Sequence, residues 1–466
     1  MPLILSGNVA TATASTTYDV ANSCRFNSAD QARMNRDLVT ATSRQKFTYS
    51  FWIKRCSLSQ QFVVTNAGST SHIKFDANHK LDFMDEDGNI RYITTRVFRD
   101  VSAWYSIIIA VDTTQGTAGN RVKIYINGTQ ETSFSTSTAP DQNYNCTFNT
   151  AVNFKYGSYD NDADYNLDAY LAELVFIDGT QYANTDFGEF DEESPKIWKP
   201  KKVSGLTFGT NGHYLDFEAS GNLGNDANGG TDWTEENLAA TDQSLDTCTN
   251  NFCTLNPLVV NSGLTYSEGN LNVVASNANY RHAVSTIAVQ SGKWYAEFKA
   301  VSGFSGVDKN VGIYRTDNNY SATTGLGNYT SGTTWCYGAT GNVRTSNGNN
   351  DTGEATFTDG DIIAVAMDLD NNKLYFAKNN AWINSGDPES GATGTGSYAI
   401  VAGDFYHFAV TSISSGGAAL WSCNFGSPSY ANSSDAADAN GYGAFEYAPP
   451  SGYLALCTKN LGSDGG

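Results

Sequence analysis

WYSIIIAVD at 104–112 and VKIYINGT at 122–129 are the stretches that decide the fold. The first run is apolar on both faces of a strand, with the β-branched residues that suit a pleated surface. The second alternates and then meets Asn127-Gly128, the pair that best fits a two-residue hairpin turn. Upstream, Phe47, Tyr49, Phe51 and Ile53 alternate with Thr48, Ser50, Trp52 and Lys54, the pattern of a half-buried strand. YLAELVFIDG (170–179) alternates again and ends on Asp178-Gly179. The second half repeats this grammar: GKWYAEFKA (292–300), VGIYR (311–315), then DIIAVAMDLD (361–370) running into KLYFAKNN (373–380). No amphipathic helix longer than about ten residues is found, so the expected class is all-β.

The chain has 466 residues, and 28 Lys+Arg against 48 Asp+Glu give a net charge of −20. At roughly 150 residues per domain the length suggests three domains, and large β-sandwiches pull that toward two. Hydrophobic residues at 40%, with 26 Tyr and 24 Phe, supply real cores and exclude wholesale disorder. Only 16% of residues are charged, so the surface must be largely Asn, Ser, Thr, Gly and Tyr. The acidity argues against binding a phosphate backbone or an anionic lipid surface. No run approaches the ~20 apolar residues of a membrane span. The opening MPLILSGN lacks a basic n-region and a full apolar core, so a secretory signal is not expected. The eight cysteines are dispersed, which favours mostly reduced, partly buried thiols over a disulfide framework or a zinc site.

These signals organise the chain into five parts. Residues 1–20 are a Thr/Ala/Ser-rich arm or edge strand, 21–218 a first sandwich, and 219–264 a Gly/Asn/Thr-rich connector. Residues 265–460 make a second sandwich and 461–466 a tail. The connector carries enough Leu, Phe and Trp to pack on its neighbours and is expected to be ordered.

Specific phrases carry a resemblance. CRFNSADQARMNR (24–36), FTYSFWIKR (47–55), WYSIIIAVD, RVKIYINGT (121–129) and YLAELVFIDG resemble the laminin G-like, concanavalin A-type lectin/glucanase domains. GKWYAEFKA, VGIYR, GDIIAVAMDLDNNKLYFAKNNAWINSG (360–386) and CNFGSP (423–428) are similar, in order, to SPRY domains. The resemblance implies two tandem concanavalin A-like jelly-roll sandwiches. GTNGHYLDF (209–217), LGNDANGGTDWT (223–234), DTCTNNFCTLNP (246–257) and FEYAPPSGYLALCTKNL (445–461) resemble phrases of marine tailed-phage virion proteins. That likeness implies a structural protein of a phage particle, with no set of ligand residues to carry over.

Several constellations invite chemistry. Glu189, Asp191 and Glu193 have the E-x-D-x-E spacing of laminarinase-type glycosidases, which need carboxylates on one strand face. Phe190 and Glu192 intervene and Pro195 follows, so an acidic surface loop is the expected reading and the chain is expected not to be an enzyme. Asp160, Asp162 and Asp164 have hard-ligand spacing and leave calcium open, against a plain solvated turn. No G-x-S-x-G elbow, P-loop or dinucleotide fingerprint accompanies the five histidines. Sugars stack on exposed aromatics, and two loop sets have that composition: Tyr320, Tyr329, Trp335 and Tyr337, and Tyr156, Tyr159 and Tyr165.

The expected function is therefore a non-enzymatic virion surface protein of tail-fibre or appendage type. Its loops would recognise a host-surface glycan or receptor, and arrayed copies would add avidity. Expected partners are other virion proteins and a homo-oligomer, with a trimer as the analogy suggests. Nucleic acid and membrane insertion are not expected. The alternatives are a capsid or tail decoration protein and, further off, a glycan depolymerase.

Overall fold

The computed structural model describes residues 18–68, 70–159, 165–259, 263–275, 281–305, 309–316, 326, 333–345, 350–412 and 418–463. The chain forms two compact units, whose described parts are 18–251 and 252–463. Both are built of sheets that are antiparallel except where Leu454–Ala455 pairs in parallel with Lys293–Ser302, and the one α-helix among the described residues is the six-residue Thr458–Ser463.

In the first unit, one sheet runs Thr129–Gln130, Val122–Ile126, Trp104–Asp112, Lys46–Arg55, Ala169–Asp178, Ser23–Phe26 and Gln243–Ser244. His213–Leu215 also pairs with Ala169–Asp178. The second sheet runs Phe134–Thr138, Ile90–Thr94, Leu81–Asp85, His72–Phe75, Gln61–Asn66, Asn153–Tyr156, Arg33–Asp37 and Thr234–Glu236. Alternate residues of both sheets meet in one core, with Phe47, Tyr49, Phe51 and Ile53 from one side and Ile73, Phe75, Leu81 and Phe83 from the other. The hairpin after Val122–Ile126 has φ 48° at Asn127 and 75° at Gly128, the left-handed pair that such a turn demands. Gly128 is also obligatory for space, because a Cβ there would run into the ring of Trp198.

The strand Lys46–Arg55 departs from expectation. Its alternation suggests one wet face, yet every residue after Lys46 is buried. The reason is a second apolar layer on the outer face of this sheet. Trp52, Trp104, Tyr170, Val175 and Ile177 from the sheet pack there with Phe187, Trp198 and Cys248 from the segment that follows. Residues 219–251 thus belong to the first unit and 252–264 to the second, so the stretch expected to connect the sandwiches is divided between them.

The second unit repeats the plan. One sheet runs Leu264–Ser267, Asn272–Ala275, Leu420–Asn424, Lys293–Ser302, Ile362–Asp368, Lys373–Lys378 and Ala381–Trp382. Its partner runs Arg281–Val284, Tyr406–Ser412, Asn310–Arg315, Thr334–Gly338, Asn342–Arg344 and Asn350–Thr352. Trp294, Phe298, Val365, Trp421 and Phe425 meet Ile313, Trp335, Tyr337 and Phe408 in the core. Phe445, Tyr453 and Ala455 from the C-terminal segment cover Tyr295, Ala364 and Tyr375 on the outer face of the first of these sheets. In both units the apolar Ile-Ile strand pairs with the strand that follows it, as the repeated grammar suggests. All eight cysteines are buried and unbridged.

Candidate functional site

The aromatic residues singled out from sequence separate into core and surface. Trp335 is 1% exposed. Its Nε1 donates to the Ala399 carbonyl at 2.9 Å and its ring meets Tyr406 edge-on at 5.7 Å. Tyr337 is buried against Phe357 and Phe376, its hydroxyl donating to the Ala355 carbonyl. Both belong to the core rather than to a binding loop: two residues apart on Thr334–Gly338, they share the inward face of a strand. Tyr320 and Tyr329 lie outside the described residues.

Tyr156 is likewise a core residue, alternating with Lys155 on Asn153–Tyr156. Its hydroxyl lies 2.7 Å from His213 Nε2, and its ring packs at 4.3 Å, tilted, against Trp233. His213 Nδ1 is 3.0 Å from the Asn211 carbonyl, so Nδ1 carries the proton and Nε2 accepts from Tyr156. Tyr159 and Tyr165 do reach the surface; Tyr159 is half-buried and Tyr165 is 36% exposed. Asp160, Asp162 and Asp164, between them, lie outside the described residues. Among the described residues no group of three or more His, Cys, Asp and Glu is placed to hold a metal ion.

The two surface tyrosines sit on Phe62, at 4.5 Å for Tyr159 and 6.0 Å for Tyr165, and meet each other edge-on at 5.8 Å. The Phe62 backbone N–H donates to the Tyr165 carbonyl at 3.2 Å, which ties Tyr165 to the sheet. Beside them, three adjacent strands present a polar outer face. His72 and Lys74 alternate with the core residues Ile73 and Phe75, Asp82 with Leu81 and Phe83, and Arg91 with Ile90 and Tyr92. The register sets Lys74 opposite Asp82 and Arg91 opposite Met84.

Asp82 is the centre of this face, although it is only 1% exposed. Arg91 Nη2 lies 3.0 Å from its Oδ2, with Lys74 Nζ at 3.8 Å and His72 Nε2 at 3.6 Å. Burial alone would push its carboxyl up, but the hydrogen bonds from His72 and Arg91 bring it below the usual carboxylate range. Burial draws both His72 and Lys74 down from their ordinary values. The Lys74 ammonium also lies 4.9 Å over the Phe62 ring. An ionised Asp82, fully matched by cations, is unsuited to be a proton donor. The surplus of donors around it, flanked by aromatic rings, suits a hydroxylated or anionic ligand.

The acidic triplet is arranged differently. Gly188–Phe190 pairs with Trp198–Pro200 in a two-stranded hairpin where a loop was expected. Asp191 is buried and accepts the backbone N–H of Glu193 at 3.0 Å and of Ser194 at 2.8 Å. Lys199 Nζ lies 3.3 Å from Asp191 and 3.7 Å from Glu189. Asp191 thus closes a turn, Glu193 is exposed, and of the three carboxylates only Glu189 lies on a strand.

Each unit also buries a glutamic acid and a histidine whose ionisation is displaced by burial. Glu173, at a bulge with φ 49°, accepts Tyr18 and Tyr214 hydroxyls at 3.0 and 2.8 Å. Glu297 accepts the backbone N–H groups of Glu446 and Tyr447, each at 2.8 Å. Burial pushes both carboxyls from 4.5 up to about 7. Burial pulls His213 down to about 3 and His407 to about 4, from 6.5. The glutamic acids therefore contribute stability that is whole below pH 4.5 and lost as pH rises through 7. The histidines contribute stability that is whole above pH 6.5 and lost as pH falls toward 3–4. The two slopes oppose each other between, so the denaturant midpoint should be nearly flat from about pH 4.5 to 6.5 and fall on either side. In the E173Q/E297Q variant the midpoint should instead climb through that window. A wild-type midpoint that climbs steadily from pH 4.5 to 8 would contradict this assignment.

Comparison with known proteins agrees with part of this picture. Residues 26–181, about a third of the chain, match a laminin G-type family model described as the concanavalin A-like lectin/glucanases superfamily. No curated protein matches the chain. Among solved structures it is similar to the SPRY domain of human HERC1, at 17% identity and TM-score 0.26, covering 33% of this chain and 87% of that one. It is also similar to stonustoxin, at 16% identity and TM-score 0.28, covering 37% of this chain and 27% of the other. The PSpry domain of TRIM65 is a third, at 11% identity and TM-score 0.28, covering 37% of this chain and 88% of that domain.

Proposed function

We propose that this chain is a non-enzymatic recognition protein carried on the outside of a tailed-phage particle, where it attaches to host-surface glycan. The observation that carries the recognition half is the open face of the first unit. Tyr159 and Tyr165 stand on Phe62 beside Lys74 and Arg91, combining rings for stacking with charged donors for hydroxyl or carboxylate groups. The match of residues 26–181 to lectin-type domains supports the same reading. The phage setting rests on the recurring sequence phrases. In that setting the protein is made in the bacterial cytoplasm, joins other virion proteins and works as an oligomer, a trimer by analogy. Calcium, where bound, would be held by Asp160, Asp162 and Asp164, which lie between the two tyrosines in sequence.

The test is adsorption. Purified protein displayed at high valency should bind host cells and compete with phage. Arg91→Ala and Tyr165→Ala, both at exposed positions, should each weaken that binding about ten-fold, the loss of one charged hydrogen bond or one stacked ring. Absence of cell binding, with the protein located on capsid lattice positions, would replace attachment by a decoration role. Release of reducing ends from host polysaccharide would make the chain a depolymerase.

A further inference from the structure

The second unit holds a polar pocket of about 520 Å³ that no sequence motif announces. Its floor is formed by Lys299 within one strand, Ile362 at the start of the next, and Asn379 just after Lys373–Lys378. Its wall comes from two later segments, 430–433 and 446–447, the second of which belongs to the layer that covers the outer face of this sheet.

The wall is built rather than incidental. Buried Glu297 accepts both backbone N–H groups of 446 and 447, together with the Tyr295 hydroxyl at 3.0 Å and Asn424 Nδ2 at 3.3 Å. Asn432 Nδ2 ties the other segment to the Ala444 carbonyl at 2.9 Å. The Glu446 carboxylate is fixed by the Ser433 N–H at 2.7 Å and its hydroxyl at 2.5 Å. Those hydrogen bonds hold its carboxyl below the usual range.

Against this braced frame a cation is left over. The Lys299 ammonium lies 4.7 Å over the Tyr430 ring and has no hydrogen-bond acceptor among the described residues. An ammonium offers three donors, and here they face a cavity that also offers a carboxylate, carboxamides and the rings of Tyr430 and Tyr447. One lysine and one glutamate leave the lining with no net charge, so neither a polyanion nor a cation is favoured. The volume falls in the range of small-molecule sites, about 300–1,000 Å³.

We propose that this pocket binds a neutral pyranose, one or two sugar residues of a glycan, with Lys299 donating to ring hydroxyls and Tyr447 providing a stacking plane. The site is separate from the first-unit face and does not depend on it.

Saturation-transfer NMR on the full chain tests this with the methyl α-pyranosides of glucose, galactose and mannose, N-acetylglucosamine, and glucuronate as the charged comparison. At least one neutral sugar should bind with Kd of order 1 mM, typical of a single shallow polar site. Lys299→Met, which keeps the stem over Tyr430, and Tyr447→Ala should each weaken it about ten-fold at unchanged Tm. No binding by any neutral sugar at about 20 mM, undiminished binding in both variants, or tighter binding of glucuronate would each overturn the proposal.

Discussion

Asp246→Ala is expected to cost the first unit about 3–5 kcal/mol, the price of leaving a buried charge without its partner. Lys54 Nζ lies 2.7 Å from Asp246 Oδ2, and both side chains are 1% exposed. Asn251 Oδ1 also accepts from Lys54 at 2.7 Å, and Trp104 Nε1 donates to Asp246 at 3.0 Å. A neutral alanine would leave the ammonium without its counter-charge and the indole N–H without its acceptor at the edge of an apolar layer. The pair need not be better than a well-packed apolar substitute, because desolvation offsets most of the attraction. Lys54→Met combined with Asp246→Leu should therefore regain most of the loss. Urea unfolding of the single and double variants provides the check; a single-variant loss below about 1 kcal/mol would show that the pair is hydrated in solution.

Trp335→Ala should be equally damaging, at about 3–5 kcal/mol, because it opens a cavity where Tyr406 and the Ala399 carbonyl now close on the indole. Tyr165→Ala, at a position 36% exposed, should change stability by no more than about 0.5 kcal/mol while weakening ligand binding. The contrast separates packing from recognition among residues that look alike in sequence. If Trp335→Ala left the unfolding midpoint in place and removed glycan binding instead, the inward orientation of Thr334–Gly338 would be wrong.

Local pattern made the strands legible. WYSIIIAVD is the strand Trp104–Asp112 residue for residue, and Asn127-Gly128 is the hairpin turn, because both depend on neighbours in the chain. The direction of Trp335 was hidden for the opposite reason. TWCYG has bulky or apolar residues on both faces, and Cys336 is buried too, so alternation gives no sign of which side is the core. Tyr156 was misassigned because the tyrosines around it carry the same composition, while its burial depends on His213 and Trp233, more than 50 residues away in sequence. The face around Asp82 left a faint trace, the polar alternation of HIKF, LDFMD and IRYIT. Its meaning lay in cross-strand register, which no single strand encodes. The 430–447 wall left none, since Glu297 meets it across about 150 positions of chain.

The outer layer on the first sandwich also says where this chain can be cut and rejoined. The segment that matches a known family ends at 181, but the sheet it contributes is clothed by Trp198 and Cys248 and charge-matched by Asp246. A recombination event that carried only the recognisable part into another protein would deliver a sheet with a bare apolar side and an orphan lysine. The structural unit runs through Asn251, so exchange between relatives is expected to leave its scars after that residue.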